Sequence, residues 1–277
     1  MKKLELDLLI ETEENEIDMQ YGLETLKGTS DVVSIISEAV LVGAIKKTGR
    51  RTHKSNEVRT KLKQSFSGSF GQRFSLEIED KKLIRKLNKM GDDIFLEVLS
   101  YFILEALYLD SGNLSKEASD VLDGLEGISD NLFSRIIEPL KDMHQISKYF
   151  QHDVKLRYRK RGHPEKQLVC LTDKTAANLT DAQVLAEEFE IDAVIIRYHS
   201  KTGNGRLHIR GGDRFYSFGY ATQISLVQRL LRRDISENLH INNGIDPEEG
   251  TFIKLRVKKK VLPTDEVVKY LVLGIVK

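Results

Sequence analysis

Beyond residue 178 the sequence reads as mostly β almost to its end. Five short runs, 193–199, 205–211, 215–218, 251–261 and 267–276, read as strands, and 205–211 and 251–261 alternate apolar and polar residues as half-buried strands do. A single helical stretch, 222–234, interrupts them. Gly203-Asn204-Gly205 and Gly211-Gly212-Asp213 supply tight turns at hairpin positions. Five strands and one helix in about 95 residues suit a small barrel. The expectation is an OB/SH3-like β-barrel domain over 179–277, with the boundary at Asn178-Leu179-Thr180-Asp181.

Residues 1–178 change period repeatedly. Leu4, Leu6, Leu8 and Ile10 alternate as a strand, and an acidic stretch then leads to a helix carrying Val32, Ile36, Ala39 and Val40. Gly28 either breaks that helix or is tolerated in it. Two runs, 58–62 and 70–78, flank Ser65-Phe66-Ser67-Gly68-Ser69 and read as a hairpin. The broad apolar stripe Ile94, Phe95, Val98, Leu99, Phe102, Ile103 predicts a helix covered on most sides, ended by Asp110-Ser111-Gly112-Asn113. Ser115 or a neighbour starts a short helix that stops near Gly127, and Ser129 or Asp130 can cap the next, which runs to Phe150 with a kink at Pro139. Val154, Leu156 and Tyr158 resume a strand, Gly162-His163-Pro164 turns it, and 167–171 returns. The fold class is therefore α+β: a helix-rich N-terminal domain with a small sheet, then the barrel.

Composition excludes several classes. With 40% hydrophobic residues among 277, the chain has enough apolar mass for a core, and wholesale disorder is out. The longest apolar stretch, 95–109, is broken by Glu97 and Glu105, too short a run for a bilayer span. The start, Met1-Lys2-Lys3-Leu4-Glu5-Leu6-Asp7, turns acidic where a signal peptide needs its apolar core, and Cys170 is the single cysteine. A soluble cytoplasmic protein without internal disulfides is expected.

No catalytic signature stands out. Neither G-x-x-x-x-G-K-[ST] nor a strand-following G-x-G-x-x-G is present, and a hairpin turn explains Gly203-x-Gly205. None of the seven histidines has metal-ligand spacing; His199 and His208 could approach across a hairpin, with Asp213 near its far end, but surface or satisfied histidines are the plainer account. Glu77-Ile78-Glu79-Asp80-Lys81 carries a carboxylate-x-Lys arrangement suited to a Mg²⁺ nuclease, with Glu57 as its only upstream partner; a charged strand end is the plainer account. Cys170 lies in the apolar run Leu168-Val169-Cys170-Leu171 and reads as a buried, inert thiol. No catalytic residue, metal or cofactor is assigned.

Charge is more informative. The net value is +1, but strands carry basic stripes. One face of each has Arg59, Lys61 and Lys63; Lys155, Arg157, Arg159 and Arg161; Arg206, His208 and Arg210; and Lys254, Arg256, Lys258 and Lys260, with apolar residues between. Arg229, Arg232 and Arg233 share a helix face. The stretch 110–142 is mostly acidic. Cations spaced along strands suit the backbone of a nucleic acid, and Tyr198, Phe215, Tyr216 and Phe218 are aromatics for stacking. The same stripes also suit an acidic partner surface, in this chain or another subunit, or plain solvation of strand faces. The candidate nucleic-acid contacts are Arg157, Arg159, Arg206, Arg210, Arg229, Arg232, Arg233, Lys254, Arg256, Lys258 and Lys260.

The 23–42 helix, Gly68-Ser69-Phe70, Thr202-Gly203-Asn204-Gly205-Arg206-Leu207 and Lys269-Tyr270-Leu271-Val272 together resemble an uncharacterised bacterial family. Its members join a helix-and-hairpin head to a five-stranded barrel tail. The resemblance implies mobile-element or phage-defence neighbourhoods and brings no catalytic residues. The function expected is a non-enzymatic recognition component contacting nucleic acid or a partner protein, with no membrane role. The alternatives are a metal-dependent nuclease or ribonuclease effector and a structural homo-oligomer.

Overall fold

Leu4, Leu6, Leu8 and Ile10 are each at most 1% exposed, and the strand that carries them is the centre of the first sheet. The computed structural model describes residues 1–13, 16–45, 58–66 and 69–276, and the chain forms two structural units. The first contains residues 1–107 and 114–180; the second contains 108–113 and 181–277. The protein is α+β, and among the described residues no helix is long and apolar enough to cross a membrane.

The first unit runs β1 (Lys2–Ile10), α1 (Met19–Val42), β2 (Val58–Phe66), β3 (Phe70–Ile78), α2 (Lys81–Met90), α3 (Asp92–Ala106), α4 (Lys116–Asp123), α5 (Ser129–Met143), α6 (Gln145–Phe150), β4 (Val154–Tyr158), β5 (Lys166–Leu171) and α7 (Asp173–Thr180). Its sheet is antiparallel in the order β2-β3-β1-β4-β5, with Leu6 opposite Phe74 and Leu8 opposite Leu156. Alternation places Leu4, Leu6, Leu8, Phe74, Leu76, Val154 and Leu156 in the core.

Asp18 caps α1 by accepting from the Tyr21 amide at 3.0 Å, and Gly43 ends it at φ +78°. Gly28 is tolerated, and its lack of a side chain is what the packing uses. A Cβ there would stand 2.2 Å from the Met143 nitrogen and 2.6 Å from the Pro139 carbonyl oxygen, so only glycine lets α1 and α5 backbones meet. Two sequence expectations on these helices need correcting. The single helix expected to run to Phe150 is instead α5 and α6, parted at His144, and neither Ser129 nor Asp130 caps α5, which has no side-chain cap. Ser115 does cap α4, accepting from the Ala118 amide at 3.1 Å. Of the expected hairpin bend, Ser67 and Gly68 lie outside the described residues.

His144 is 1% exposed and sits between the Leu140 carbonyl oxygen (Nδ1, 2.6 Å) and Thr175 Oγ1 (Nε2, 2.9 Å). Burial lowers its pKa to about 4, against the opposing hydrogen bond to Leu140. Between about 4 and the ordinary value near 6.5 the unfolded chain takes up a proton that the folded chain refuses. Stability is therefore lost as pH falls through that window. This one group is expected to make the first unit about 2 kcal/mol less stable at pH 5 than at pH 7. Urea unfolding of His144→Gln beside the parent chain checks it: the variant should show the shallower pH dependence.

The second unit adds β6 (Gln183–Val184), β7 (Phe189–Tyr198), β8 (Gly205–Ile209), β9 (Phe215–Tyr220), α8 (Arg229–Ile241), β10 (Ile253–Val261) and β11 (Val267–Ile275). The order β11-β9-β8-β7-β10 closes through β10–β11 into a five-stranded barrel, with β6 appended to β10. All barrel pairings are antiparallel except β11–β9. Ala193, Ile195, Leu207, Phe218, Leu255, Val257 and Val272 fill the interior, and Ile235 of α8 joins the same core. The helix expected at 222–234 begins only at Arg229. Before it the chain makes a short 3₁₀ turn at Ile224–Leu226, and Val227 and Gln228 are extended, with ψ of 128° and 134°.

Candidate nucleic-acid interface

In the first unit several of the basic residues pair with carboxylates on and just after β1. Asp7, 0% exposed, accepts from Arg157 Nε at 2.7 Å and Nη2 at 3.1 Å, and from Arg159 Nη1 at 2.7 Å. Lys155 pairs with Glu11 at 2.5 Å and Lys63 with Glu5 at 2.6 Å. The Arg157–Arg159 stripe is thus a cross-sheet ion-pair ladder rather than an open cationic row. Arg159 also reaches Glu165 at 2.8 Å and lines a cleft of ≈ 290 Å³ with Arg73, Lys160, Arg161 and His163.

The carboxylate-x-Lys segment does not assemble a site. Glu77 is 2% exposed and bound to Lys3 at 2.9 Å; that hydrogen bond, against the cost of burial, holds its carboxyl below the usual range. Glu79 pairs with Arg59, and Asp80 caps α2 through the Lys82 and Leu83 amides. Glu57 lies outside the described residues. Among the described residues no three His, Cys, Asp or Glu side chains are grouped as metal ligands. Cys170 is half-buried rather than sealed in the core, and burial together with Asp153 pushes its thiol pKa up.

The barrel is where cations stay in register. On β10, Leu255 and Val257 are 0% exposed and point inward, so Lys254, Arg256, Lys258 and Lys260 face outward, about 6–7 Å apart along the strand. The irregularities of the β10–β11 pairing fall where β11 has the extra residue, Leu273 between the partners of Arg256 and Val257 and Val268 between those of Lys260 and Val261. The alternation of β10 therefore survives. Glu190 stands 4.0 Å from Lys254 and Glu188 3.5 Å from Arg256, while Lys258 has no ion pair among the described residues. Arg256 also borders a cleft of ≈ 520 Å³ lined by Tyr220, Leu226, Leu231 and Asp234.

The other sequence candidates scatter. Arg229 and Arg233 are exposed on α8, Arg233 lying 3.7 Å from Asp234, whereas Arg232 turns towards Tyr198. Arg210 stacks on Phe252, 4.2 Å from the ring centroid. Arg206 and His208 face outward from β8 yet are only 4% and 6% exposed, which removes them from the open surface. His208 does not approach His199. The β7–β8 register sets it opposite Val194, and it bonds Glu248 at 2.7 Å, while His199 Nδ1 accepts from the Thr202 amide.

Of the aromatics, Phe218 is core. Tyr198 and Tyr220 bond through their hydroxyls at 2.8 Å, and burial raises the pKa of both. Tyr216 packs edge-on against Tyr270, whose own pKa burial pushes up to about 12. Phe215 alone of the four sequence candidates is exposed, at 52%. Sequence reasoning missed Lys269, the β11 cation opposite Lys260, because Val267, Lys269 and Leu271 share one alternation phase and give no stripe. No protein-family model, curated protein or solved structure matches the chain.

Proposed function

We propose that the second unit is an OB-type barrel that holds single-stranded nucleic acid on its outward β10–β11 surface. The observation that carries this is the pairing of a closed barrel, with its helix between the third and fourth strands, and an unbroken outward row of cations on the fourth. A helix at that point and a parallel pairing of third and fifth strands favour the OB arrangement over the SH3 one. OB barrels use their outer strands and rim loops to bind extended oligomers, and a cationic row at strand spacing follows successive phosphates. The site offers an outward row of cations, and the reading is a binding component. The family resemblance extends it to a recognition component of a phage-defence system.

Fluorescence anisotropy with a labelled mixed-sequence oligonucleotide of about 15 nucleotides tests this directly. Lys254, Arg256 and Lys258 engaging three phosphates predict a log–log salt slope of about −2, hence roughly 20-fold weaker binding at about 200 mM than at about 50 mM salt. Duplex of the same sequence should bind more weakly. Absence of binding at low salt would overturn the proposal.

A further inference from the structure

Residues Tyr108–Asn113 belong to the second unit, although the chain enters that unit again only at Asp181. Four cations of the barrel hold this hexapeptide. Lys260 Nζ donates to Tyr108 Oη and stands 4.7 Å from the ring centroid, and Lys269 Nζ stands 5.3 Å from the same centroid. Arg206 Nη1 donates to the Tyr108 carbonyl oxygen at 3.0 Å. Arg197 Nη1 binds the Asp110 carboxylate and donates to the Gly112 carbonyl oxygen at 2.6 Å. Burial opposes ionisation of Asp110, but the Gly112 amide and the Arg197 guanidinium outweigh it and hold the carboxyl below its ordinary range.

Two further observations show that the contact is imposed. Tyr108 has φ +61°, a left-handed conformation that residues with a Cβ adopt at a cost. Ser217 is the register partner of both Arg206 and Lys269 and is 1% exposed, yet its Oγ has no hydrogen-bond partner among the described residues. On the same outward face, His208 Nδ1 is likewise buried and unserved. A surface with four cations and two unserved polar atoms is richer in binding groups than the segment covering it can use.

We infer that Tyr108–Asn113 is a built-in competitor for the nucleic acid. The Tyr108 ring takes the place of a base between Lys260 and Lys269, and Asp110 takes that of a phosphate against Arg197. Cation–aromatic and carboxylate–guanidinium contacts are the chemistry a nucleotide would make there. The inference rests on the nucleic-acid reading of the barrel. In the intact chain only the fraction with the segment displaced offers the full surface, so affinity is reduced by that fraction.

The test is oligonucleotide binding by the full chain bearing Tyr108→Gly, Asp110→Asn, or both. Glycine accepts the left-handed backbone, and asparagine keeps the shape of Asp110 while removing its charge, so the two variants challenge the contact without sharing a folding risk. Each should bind about 10-fold more tightly than the parent chain, and together they should steepen the salt slope from about −2 to about −3 as Arg197 gains a phosphate, while Lys260 and Lys269 gain a base. Equal affinity and slope in parent and variants would overturn it while leaving the barrel reading intact. Binding by neither would overturn both.

Discussion

An Asp7→Ala chain is expected to lose about 3 kcal/mol or more of stability in its first unit, because the change strands two guanidinium groups that Asp7 serves from the sheet centre. The carboxylate is fully buried, both its oxygens are engaged, and the Arg157 and Arg159 side chains are only 19% and 28% exposed. Removing one side of such a group costs more than the pair contributes, since the remaining charges are left in a medium that solvates them poorly. Asp7→Asn, which retains one acceptor oxygen but no charge, should fall between parent and alanine variant. Urea unfolding followed by circular dichroism measures both. The result also bears on function. A loss under about 1 kcal/mol would mean that water already serves these arginines, and they would return as open nucleic-acid contacts beside those of the barrel.

The same ladder shows what one sequence can and cannot reveal. The alternation Leu4, Leu6, Leu8, Ile10 declares a half-buried strand by itself, because side-chain direction along a strand is local. That Asp7 meets Arg157 is not local. It depends on β1 pairing with β4 in one register across 150 residues of chain, and a shift of one residue would turn every side chain to the other face. So the basic stripes are legible and their partners are not. Each of the four candidate rows has members that meet carboxylates or are covered, and only the folded chain tells which.

The barrel follows the same rule. Its five strands are readable as short apolar or alternating runs between turns, but the two-residue β6 is too short to show as one. The sequence pattern starts α8 too early because Leu226 and Val227 continue a helical spacing that the extended backbone at Val227 and Gln228 breaks. Asp110-Ser111-Gly112-Asn113 is legible as a turn, and the Gly112 amide does bond Asp110 Oδ1 at 2.8 Å. Its membership of the second unit is not, since nothing in a turn motif states which surface will hold it.

Reversing Arg256 and Lys258 to glutamate should weaken single-strand binding by roughly 100-fold at low salt and flatten the salt slope by about 1.4, two phosphate contacts' worth. The fold should survive, because Leu255 and Val257 supply the core contacts of β10, each at 0% exposure, while the two cations point away from it. A paired change separates loss of attraction from loss of structure. Glu188 and Glu190 now stand beside Arg256 and Lys254 and compete with phosphate for them. Glu188→Gln with Glu190→Gln should therefore tighten binding several-fold, with little change in slope because the number of phosphates is the same. If charge reversal left affinity unchanged while the wild type bound, the nucleic acid would have to lie elsewhere on the chain. The ion-paired first unit, with its arginine-lined cleft beside Arg159, would then be the place to look.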